Sequence, residues 1–176
     1  LFANYSGAMA YSTNGTTWTS VTGLSTVRSV VWNPVLNKFF AASINTVWSS
    51  SDGIAWTQVA SIASSSLTSI IMGPSDLMVL GSNATNQVKL YTSTDGTGWT
   101  ARTATSAIPI STIAYSGTLL MAAGSLNTGA ALVSADGLTW TSAISPSVYP
   151  ITQIKYVGNS FYAVTTKGHI VRYTPA

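Results

Sequence analysis

Apolar residues along the chain fall into short runs that alternate with polar turns, and this arrangement repeats. The first run of each repeat ends in a large side chain, and a turn with Asn, Gly, Pro or Ser leads into a second run. The first runs are Val30–Trp32, Ile70–Met72, Ile113–Tyr115 and Ile154–Tyr156. The second runs are Phe39–Ala42, Leu77–Leu80, Leu119–Ala122 and Phe161–Val164. Short apolar runs bounded by such turns predict β-strands, and no stretch shows a sustained helical period.

A seven-residue box with the pattern Ser-x-Asp-Gly-x-x-Trp recurs between these pairs of runs. The first copy has Asn in place of Asp, and the four tryptophans are 38, 43 and 41 residues apart. The box residues are Ser12, Asn14, Gly15 and Trp18; Ser50, Asp52, Gly53 and Trp56; Ser93, Asp95, Gly96 and Trp99; and Ser134, Asp136, Gly137 and Trp140. A third short strand leads into each box and a fourth follows its tryptophan.

The repeat therefore contains four short strands, a unit typical of a blade in a β-propeller. The sequence predicts an all-β propeller of four-stranded antiparallel blades of about 41 residues. Complete blades are predicted at 24–62, 63–105 and 106–145, with partial blades at 1–23 and 146–176. The chain is either a single domain whose ends join, or a segment completed by further blades or by other subunits in an oligomer.

Local chemistry predicts that the box is a structural turn. Asp-Gly is a strong tight-turn signal, and the Asp or Asn oxygen accepts a bond from the backbone N–H two residues on. Gly supplies positive φ, the Ser hydroxyl ties the strand before the turn to the strand after it, and Trp buries its ring. A calcium or catalytic role is the competing interpretation. Ca²⁺ takes 6–8 oxygen ligands, whereas each box brings one carboxylate or none.

The box resembles the Asp-box, or BNR, repeat of sialidase-like β-propellers and related repeats of bacterial and phage surface proteins. The usual Asp-box reads Ser-x-Asp-x-Gly-x-x-Trp, whereas here Gly directly follows Asp. The resemblance implies that the box lies at the outer hairpin of a blade, away from the central ligand site. By this resemblance Asp52, Asp95 and Asp136 belong to the scaffold.

The inventory of charged residues argues against catalysis. Sialidases that resemble this repeat hold the substrate carboxylate with three arginines and need a tyrosine, a glutamate and an aspartate. Arg28, Arg102 and Arg172 lie at unmatched places in the repeat, the chain has no glutamate, and Asp76 is the one aspartate outside the boxes. Ordinary glycoside hydrolysis needs two carboxyl groups. We predict a protein that is not an enzyme; part of a glycosidase with acids outside this chain is the alternative.

Composition narrows the possible partners. Only 6% of the residues are charged, against about 25% in an average domain, so Ser, Thr, Asn and Gly supply the polar surface. The basic residues are scattered, which excludes a nucleic-acid footprint, and no apolar run reaches the roughly 20 residues that insert into a membrane. One histidine and no cysteine predict no metal site, and no cofactor motif is present.

These features predict a non-catalytic module of an extracellular or virion (phage tail-like) assembly that binds glycans or neighbouring subunits. A purely structural spacer or decoration domain is a further alternative. Aromatic rings stack on the C–H faces of sugars, so the predicted ligand-binding residues are Trp32, Trp48, Tyr115 and Tyr156. Packing in the core is the competing interpretation for the two tryptophans.

Overall fold

The structure, a computed structural model, is built almost entirely of β-strands. It describes the backbone of residues 2–5 and residues 8–63, 66–84, 89–106, 108–124, 130–143 and 148–175. These residues form eighteen strands and a 3-10 turn at Pro74–Asp76. The predicted all-β class is confirmed.

The strands form five separate antiparallel sheets, of which the middle three have four strands and the outer two have three. The first sheet contains β1 (Phe2–Tyr5), β2 (Ala8–Tyr11) and β3 (Thr19–Ser20). The second contains β4 (Ser29–Asn33), β5 (Lys38–Ala42), β6 (Thr46–Ser50) and β7 (Thr57–Ser61). The third contains β8 (Leu67–Met72), β9 (Met78–Ser82), β10 (Leu90–Ser93) and β11 (Thr100–Arg102). The fourth contains β12 (Ile110–Tyr115), β13 (Leu120–Gly124), β14 (Ala131–Ser134) and β15 (Thr141–Ala143). The fifth contains β16 (Ile151–Val157), β17 (Ser160–Thr165) and β18 (Ile170–Tyr173).

The sheets stack one behind another in chain order. The first strands of the second to fifth sheets contact one another in series, β4 with β8, β8 with β12, and β12 with β16. Four hydrophobic clusters fill the spaces between successive sheets. Antiparallel sheets that converge on their first strands and bury apolar residues between neighbours form a β-propeller, as predicted. The predicted blade boundary at 145–146 lies outside the described residues.

Hydroxyl side chains join neighbouring first strands, which do not pair as a ladder. Ser29 Oγ accepts a hydrogen bond from the Ile70 backbone N–H at 3.1 Å. Thr68 Oγ1 donates to the Ile110 carbonyl oxygen at 2.6 Å. These bonds satisfy backbone groups that would otherwise be left unpaired between sheets, and they keep the blades in register at their inner edge.

The up-and-down order of the strands separates two ends of the molecule. Turns between first and second strands, and the boxes between third and fourth strands, lie at one end, here called the box end. Connections between second and third strands, and between sheets, lie at the other end, here called the loop end. Equivalent turns of different repeats therefore lie at the same end of the molecule.

Candidate binding surface

The box turn is closed by hydrogen bonds among its own residues. In the second sheet, Ser50 Oγ donates to Asp52 Oδ1 at 2.9 Å and accepts from the Gly53 N–H at 2.8 Å. Asp52 Oδ1 also accepts from the N–H groups of Ile54 and Ala55, at 2.8 and 2.9 Å. The serine thus stabilises the turn itself. The prediction that its hydroxyl links the two flanking strands was wrong, because both of these partners lie within the turn.

The other three boxes repeat this pattern. In the first box the amide oxygen of Asn14 accepts from the N–H groups of Thr16 and Thr17, both at 2.9 Å. An uncharged acceptor therefore does the same work as a carboxylate, as expected for a structural turn.

Backbone N–H donors hold the box carboxylates ionised. The N–H groups of Gly98 and Thr97, followed by the Ser93 hydroxyl, lower the pKa of Asp95 well below its ordinary value of 3.8. The pKa of Asp52 is lowered chiefly by the Ile54 N–H, and the same kind of bond acts on Asp136. A general acid needs a pKa near the working pH, so these groups are unsuited to that role.

The box glycines pack closely against the preceding sheet. Gly96 has φ +78°, and a Cβ atom placed there would lie 2.1 Å from the ring of Phe40. A Cβ at Gly137 would lie 2.9 Å from Leu77. The sequence predicts the positive φ, but only the stacking of sheets shows that the glycine also makes room for its neighbour.

The box tryptophans differ in burial. The indole Nε1 of Trp56, Trp99 and Trp140 donates to the box glycine's carbonyl oxygen at 3.0 to 3.1 Å. Trp140 is 1% exposed, whereas Trp18 is 43% exposed and does not make this bond. Burial in the core, expected for all four, is confirmed for Trp140. Trp56 and Trp99 are half-buried against the cluster beneath the preceding sheet, and for Trp18 the expectation is wrong.

The predicted ligand-binding aromatics are spread over three sheets. Trp32, at the box end of β4, is 39% exposed and its ring centroid lies 4.6 Å from that of Phe39. Tyr115 and Tyr156 occupy the same place on β12 and β16, half-buried. Trp48 packs on the cluster between the first and second sheets and donates to Thr46 Oγ1 at 2.9 Å. Tyr115 and Tyr156 lie on neighbouring strands; the four do not share one site.

A cleft of about 120 Å³ opens between the second and third sheets at the box end. Lys38 and Asp95 lie on its two walls, and Phe40 is part of its floor. The lining residues are Leu36, Lys38, Phe40, Ser49, Val59, Asp95 and Thr97. The cleft therefore combines a donor, an acceptor and an apolar surface.

One residue difference explains why the cleft is open. Lys38 and Leu77 occupy equivalent positions in the second and third sheets. Lys38 directly precedes Phe39, which pairs with Trp32, and Leu77 directly precedes Met78, which pairs with Met72. Leu77 approaches the box glycine of the next sheet and fills the equivalent space, whereas Lys38 is exposed. In the sequence, Lys38 is one of several scattered basic residues. An alignment of the second runs that places Lys38 at the position of Leu77 and Leu119 would have shown that it replaces an apolar residue between two sheets.

The loop end carries separate basic groups. Arg28 is exposed just before β4. Lys89 is buried, which lowers the pKa of its ammonium group, and it donates to the Ala84 carbonyl oxygen. His169 is exposed next to the turn before β18, with its ring edge-on to Tyr149 at 5.2 Å.

The three arginines do not converge. Arg28 belongs to the second sheet, Arg102 to the third, where its Nε donates to Thr92 Oγ1 at 2.7 Å, and Arg172 to the fifth. Asp76 is exposed in the 3-10 turn of the third sheet. The described part of the chain contains no cluster of acidic, His or Cys side chains that could hold a metal ion. Nor does it contain a helix long and apolar enough to cross a membrane.

The stacked sheets define a β-propeller protein. Residues 70–176 match the family model described as DUF6242 beta propeller domain, and the chain belongs to this family. No curated protein matches the sequence. The narrower resemblance to Asp-box repeats is not tested by these matches and stays a prediction.

Solved structures share the fold at low identity. YCF48 bound to D1 peptide has 16% identity and a TM-score of 0.68, with 96% of this chain and 57% of that chain covered. A catalytically inactive virginiamycin B lyase from Staphylococcus aureus with quinupristin has 12% identity and a TM-score of 0.77, with 97% and 60% covered. The computationally designed Ika4 protein has 14% identity and a TM-score of 0.65, with 89% and 96% covered. The chain thus spans about three fifths of the first two proteins, and the confirmed likeness is that of a β-propeller.

Proposed function

We propose that this protein is a non-catalytic β-propeller module of an extracellular or virion assembly, and that it binds glycans at the cleft between the second and third sheets. The observation that carries the proposal is the presence of Lys38 and Asp95 on opposite walls above Phe40. A binding site of this kind needs apolar surface with a few placed polar groups. Adjacent sugar hydroxyls need both a donor and an acceptor.

The two charged groups supply complementary hydrogen bonds. The Lys38 ammonium has three donors, and an ionised carboxylate accepts only. Asp95 Oδ1 already accepts from Ser93 Oγ, the Thr97 N–H and the Gly98 N–H. The Oδ2 atom retains lone pairs for a ligand hydroxyl, and the lowered pKa keeps the acceptor ionised. Leu36 and Val59, both half-buried, offer apolar surface to the C–H side of the sugar.

The size of the cleft sets the expected affinity. At about 120 Å³ it is smaller than the ~300–1,000 Å³ of drug-sized pockets, so it accommodates the edge of one sugar unit. A contact of that size corresponds to a Kd on the order of millimolar. Many copies in one assembly would raise the effective affinity by avidity.

The arrangement of the acids supports a role without catalysis. Asp52, Asp95 and Asp136 lie in the box turns of three different sheets, and Asp76 lies in an exposed turn. A glycosidase holds its two carboxyl groups roughly 5–10 Å apart across the scissile bond. A partner chain or further blades would have to supply the second acid for the glycosidase alternative.

The test is the variant Lys38→Leu, which copies the leucine of the next interface and should fill the cleft without unfolding the protein. Binding is measured on a glycan array with a multimerised protein, and then by titration with the sugar that binds. We expect at least a tenfold loss of affinity (about 1.4 kcal/mol). Lys167→Leu, in an exposed turn of the fifth sheet, removes the same charge and should bind as the original chain does.

Each other outcome has a distinct meaning. Equal binding by the original protein and by Lys38→Leu would place the sugar elsewhere and overturn the cleft proposal. No bound glycan at all would favour the spacer or decoration domain. Release of sugar product on incubation with the array ligands would favour the glycosidase alternative.

A further inference from the structure

A buried serine at the floor of the cleft has a hydroxyl that the chain leaves unpaired. Ser49 is 7% exposed, lines the cleft and pairs across the strands with Phe40. Cross-strand partners lie on the same face of a sheet, so the Ser49 side chain faces the third sheet, as Phe40 does. No described residue forms a hydrogen bond with Ser49 Oγ. Among the described side chains the unpaired atom that is sealed from solvent is Asn33 Nδ2, which means that Ser49 Oγ keeps accessible surface in the cleft.

The same place in the neighbouring sheets is satisfied by the chain itself. The residue directly before the box serine is Ser49 in the second sheet, Thr92 in the third and Val133 in the fourth. Thr92 is 2% exposed, and its Oγ1 accepts a hydrogen bond from Arg102 Nε at 2.7 Å. Val133 has no polar side-chain atom to satisfy. Buried hydroxyls in folded proteins normally have a partner, so Ser49 is the exception among the three.

The missing partner has a simple origin in the sequence. Arg102 lies three residues after the box tryptophan Trp99, and the residue three positions after Trp56 is Val59. Val59 lines the cleft and has no donor. The second sheet therefore carries the buried hydroxyl of this place without the guanidinium group that satisfies it in the third sheet.

The depth of the hydroxyl restricts which part of a sugar can reach it. Lys38 and Asp95 are exposed at the rim, whereas Ser49 is buried below them, beside the half-buried Leu36 and Val59. A cleft of about 120 Å³ takes the edge of a sugar, so the group that reaches the floor must be an arm that extends from the ring. The arm must be apolar along its side and must end in a hydrogen-bonding group.

The hydroxymethyl group of a hexose has this form. Its methylene group contacts apolar side chains, and its hydroxyl both donates and accepts, as the serine hydroxyl does. An acetamido arm ends instead in a methyl group, which would leave the Ser49 hydroxyl unpaired on a desolvated floor, an unfavourable arrangement. The chemistry of the floor therefore favours the hydroxymethyl arm.

We propose that Ser49 Oγ binds the primary hydroxyl of a hexose whose hydroxymethyl arm lies beside Leu36 and Val59. This inference rests on the proposed glycan binding at the cleft and names the class of sugar, hexoses with a free primary hydroxyl. Lys38 and Asp95 at the rim then bind hydroxyls of the ring. Ser49 is the residue that determines specificity, because a site built to bond a hydroxyl rejects the analogue that lacks it.

The experiment compares each sugar with its own 6-deoxy form. The full 176-residue chain is labelled with ¹⁵N and titrated with the methyl glycosides of glucose, galactose and mannose, and with the 6-deoxy counterpart of each. The Kd is taken from the backbone amide shifts. For the sugar that binds best, we expect the hexoside to bind at least tenfold more tightly than its 6-deoxy form (about 1.4 kcal/mol), with shifts at Ser49 and Thr97.

Ser49→Ala removes only the hydroxyl and separates specificity from binding in general. The hexoside should then bind about as weakly as its 6-deoxy form, while the Kd of the 6-deoxy form should stay within about twofold. Ser61→Ala is the matched control, since it removes an exposed hydroxyl at the loop end of the same sheet; it should keep the tenfold preference. The amide spectrum and the urea midpoint check that both variants are folded.

Each result supports or overturns the inference. Equal affinity of the original chain for a hexoside and its 6-deoxy form, or a preference that survives Ser49→Ala, overturns it. A requirement for an acetamido group that persists in the 6-deoxy sugar assigns the floor to that group and also overturns it. If Lys38→Leu still abolishes binding in these cases, the cleft proposal stands and only the choice of hydroxyl has failed. Binding that is unchanged by Lys38→Leu, or no binding of any sugar, overturns both.

Discussion

Substitution of one box glycine by alanine tests whether the boxes hold neighbouring sheets together. Gly96 has φ +78°, and an added Cβ would lie 2.1 Å from the Phe40 ring, which is itself 2% exposed. A left-handed backbone costs alanine about 1–2 kcal/mol, and overpacking of a filled core costs about 1–3 kcal/mol. We therefore expect Gly96→Ala to lower the free energy of unfolding by about 2–5 kcal/mol.

The matched control is Gly23→Ala. Gly23 has φ +81°, and a Cβ there would meet nothing within 4 Å. This variant carries the backbone strain without the clash, so it should cost only about 1–2 kcal/mol. The difference between the two variants isolates the contact between sheets.

Both free energies come from urea unfolding followed by tryptophan fluorescence and far-UV circular dichroism, whose transitions must coincide for a two-state treatment. Equal costs for Gly96→Ala and Gly23→Ala would refute the reasoning, because the close approach would then contribute nothing. Combining Gly96→Ala with Phe40→Val makes room at the same point. The cost of the double variant should fall at least about 1 kcal/mol short of the sum of the single costs.

Three further measurements test other contacts. The folded-state pKa of Asp95 lies below 3.8, so its ionised form stabilises the fold above pH 3.8 and this contribution is lost as the pH falls further. Asp95→Asn, which copies the native Asn14 box, should lose less stability than the original chain between neutral pH and about pH 3, as measured by urea midpoints. Trp140→Phe leaves a buried carbonyl without its indole donor and should lower the free energy of unfolding, measured in urea, by about 1–3 kcal/mol. Trp18→Phe should change this free energy by no more than about 0.5 kcal/mol. Ser29→Ala removes the hydroxyl that bonds the next first strand and should cost about 1–3 kcal/mol; no change would mean that this bridge is dispensable.

The repeat and its turns could be predicted because their signals are local. The spacing of the boxes and the paired apolar runs led to antiparallel sheets in chain order, and the Asp or Asn oxygen accepts the N–H bond two residues on, as Asx-turn chemistry predicts. The role of the serine hydroxyl was harder to predict, because a bond within the turn and a bond across it need the same residue type at the same place.

The candidate site depends on contacts between sheets, which the local sequence does not determine. Trp18 and Trp140 occupy the same position of the same box, yet one is 43% exposed and the other 1%. The difference arises from what packs against each of them. The cleft beside Lys38 also depends on a contact between sheets. At the next interface, Leu77 takes the equivalent position and fills the space against the box glycine Gly137, whereas Lys38 leaves that space open.

The seating of each box glycine on the sheet before it has a consequence for biosynthesis. The box turn of the third sheet packs at Gly96 against the ring of Phe40, a residue that is synthesised before it. Translation adds roughly 5–20 residues per second, so a new repeat is synthesised every few seconds, after the sheet on which it packs. We therefore expect each blade to pack on the blade synthesised before it, so that the fold grows from the amino to the carboxyl end.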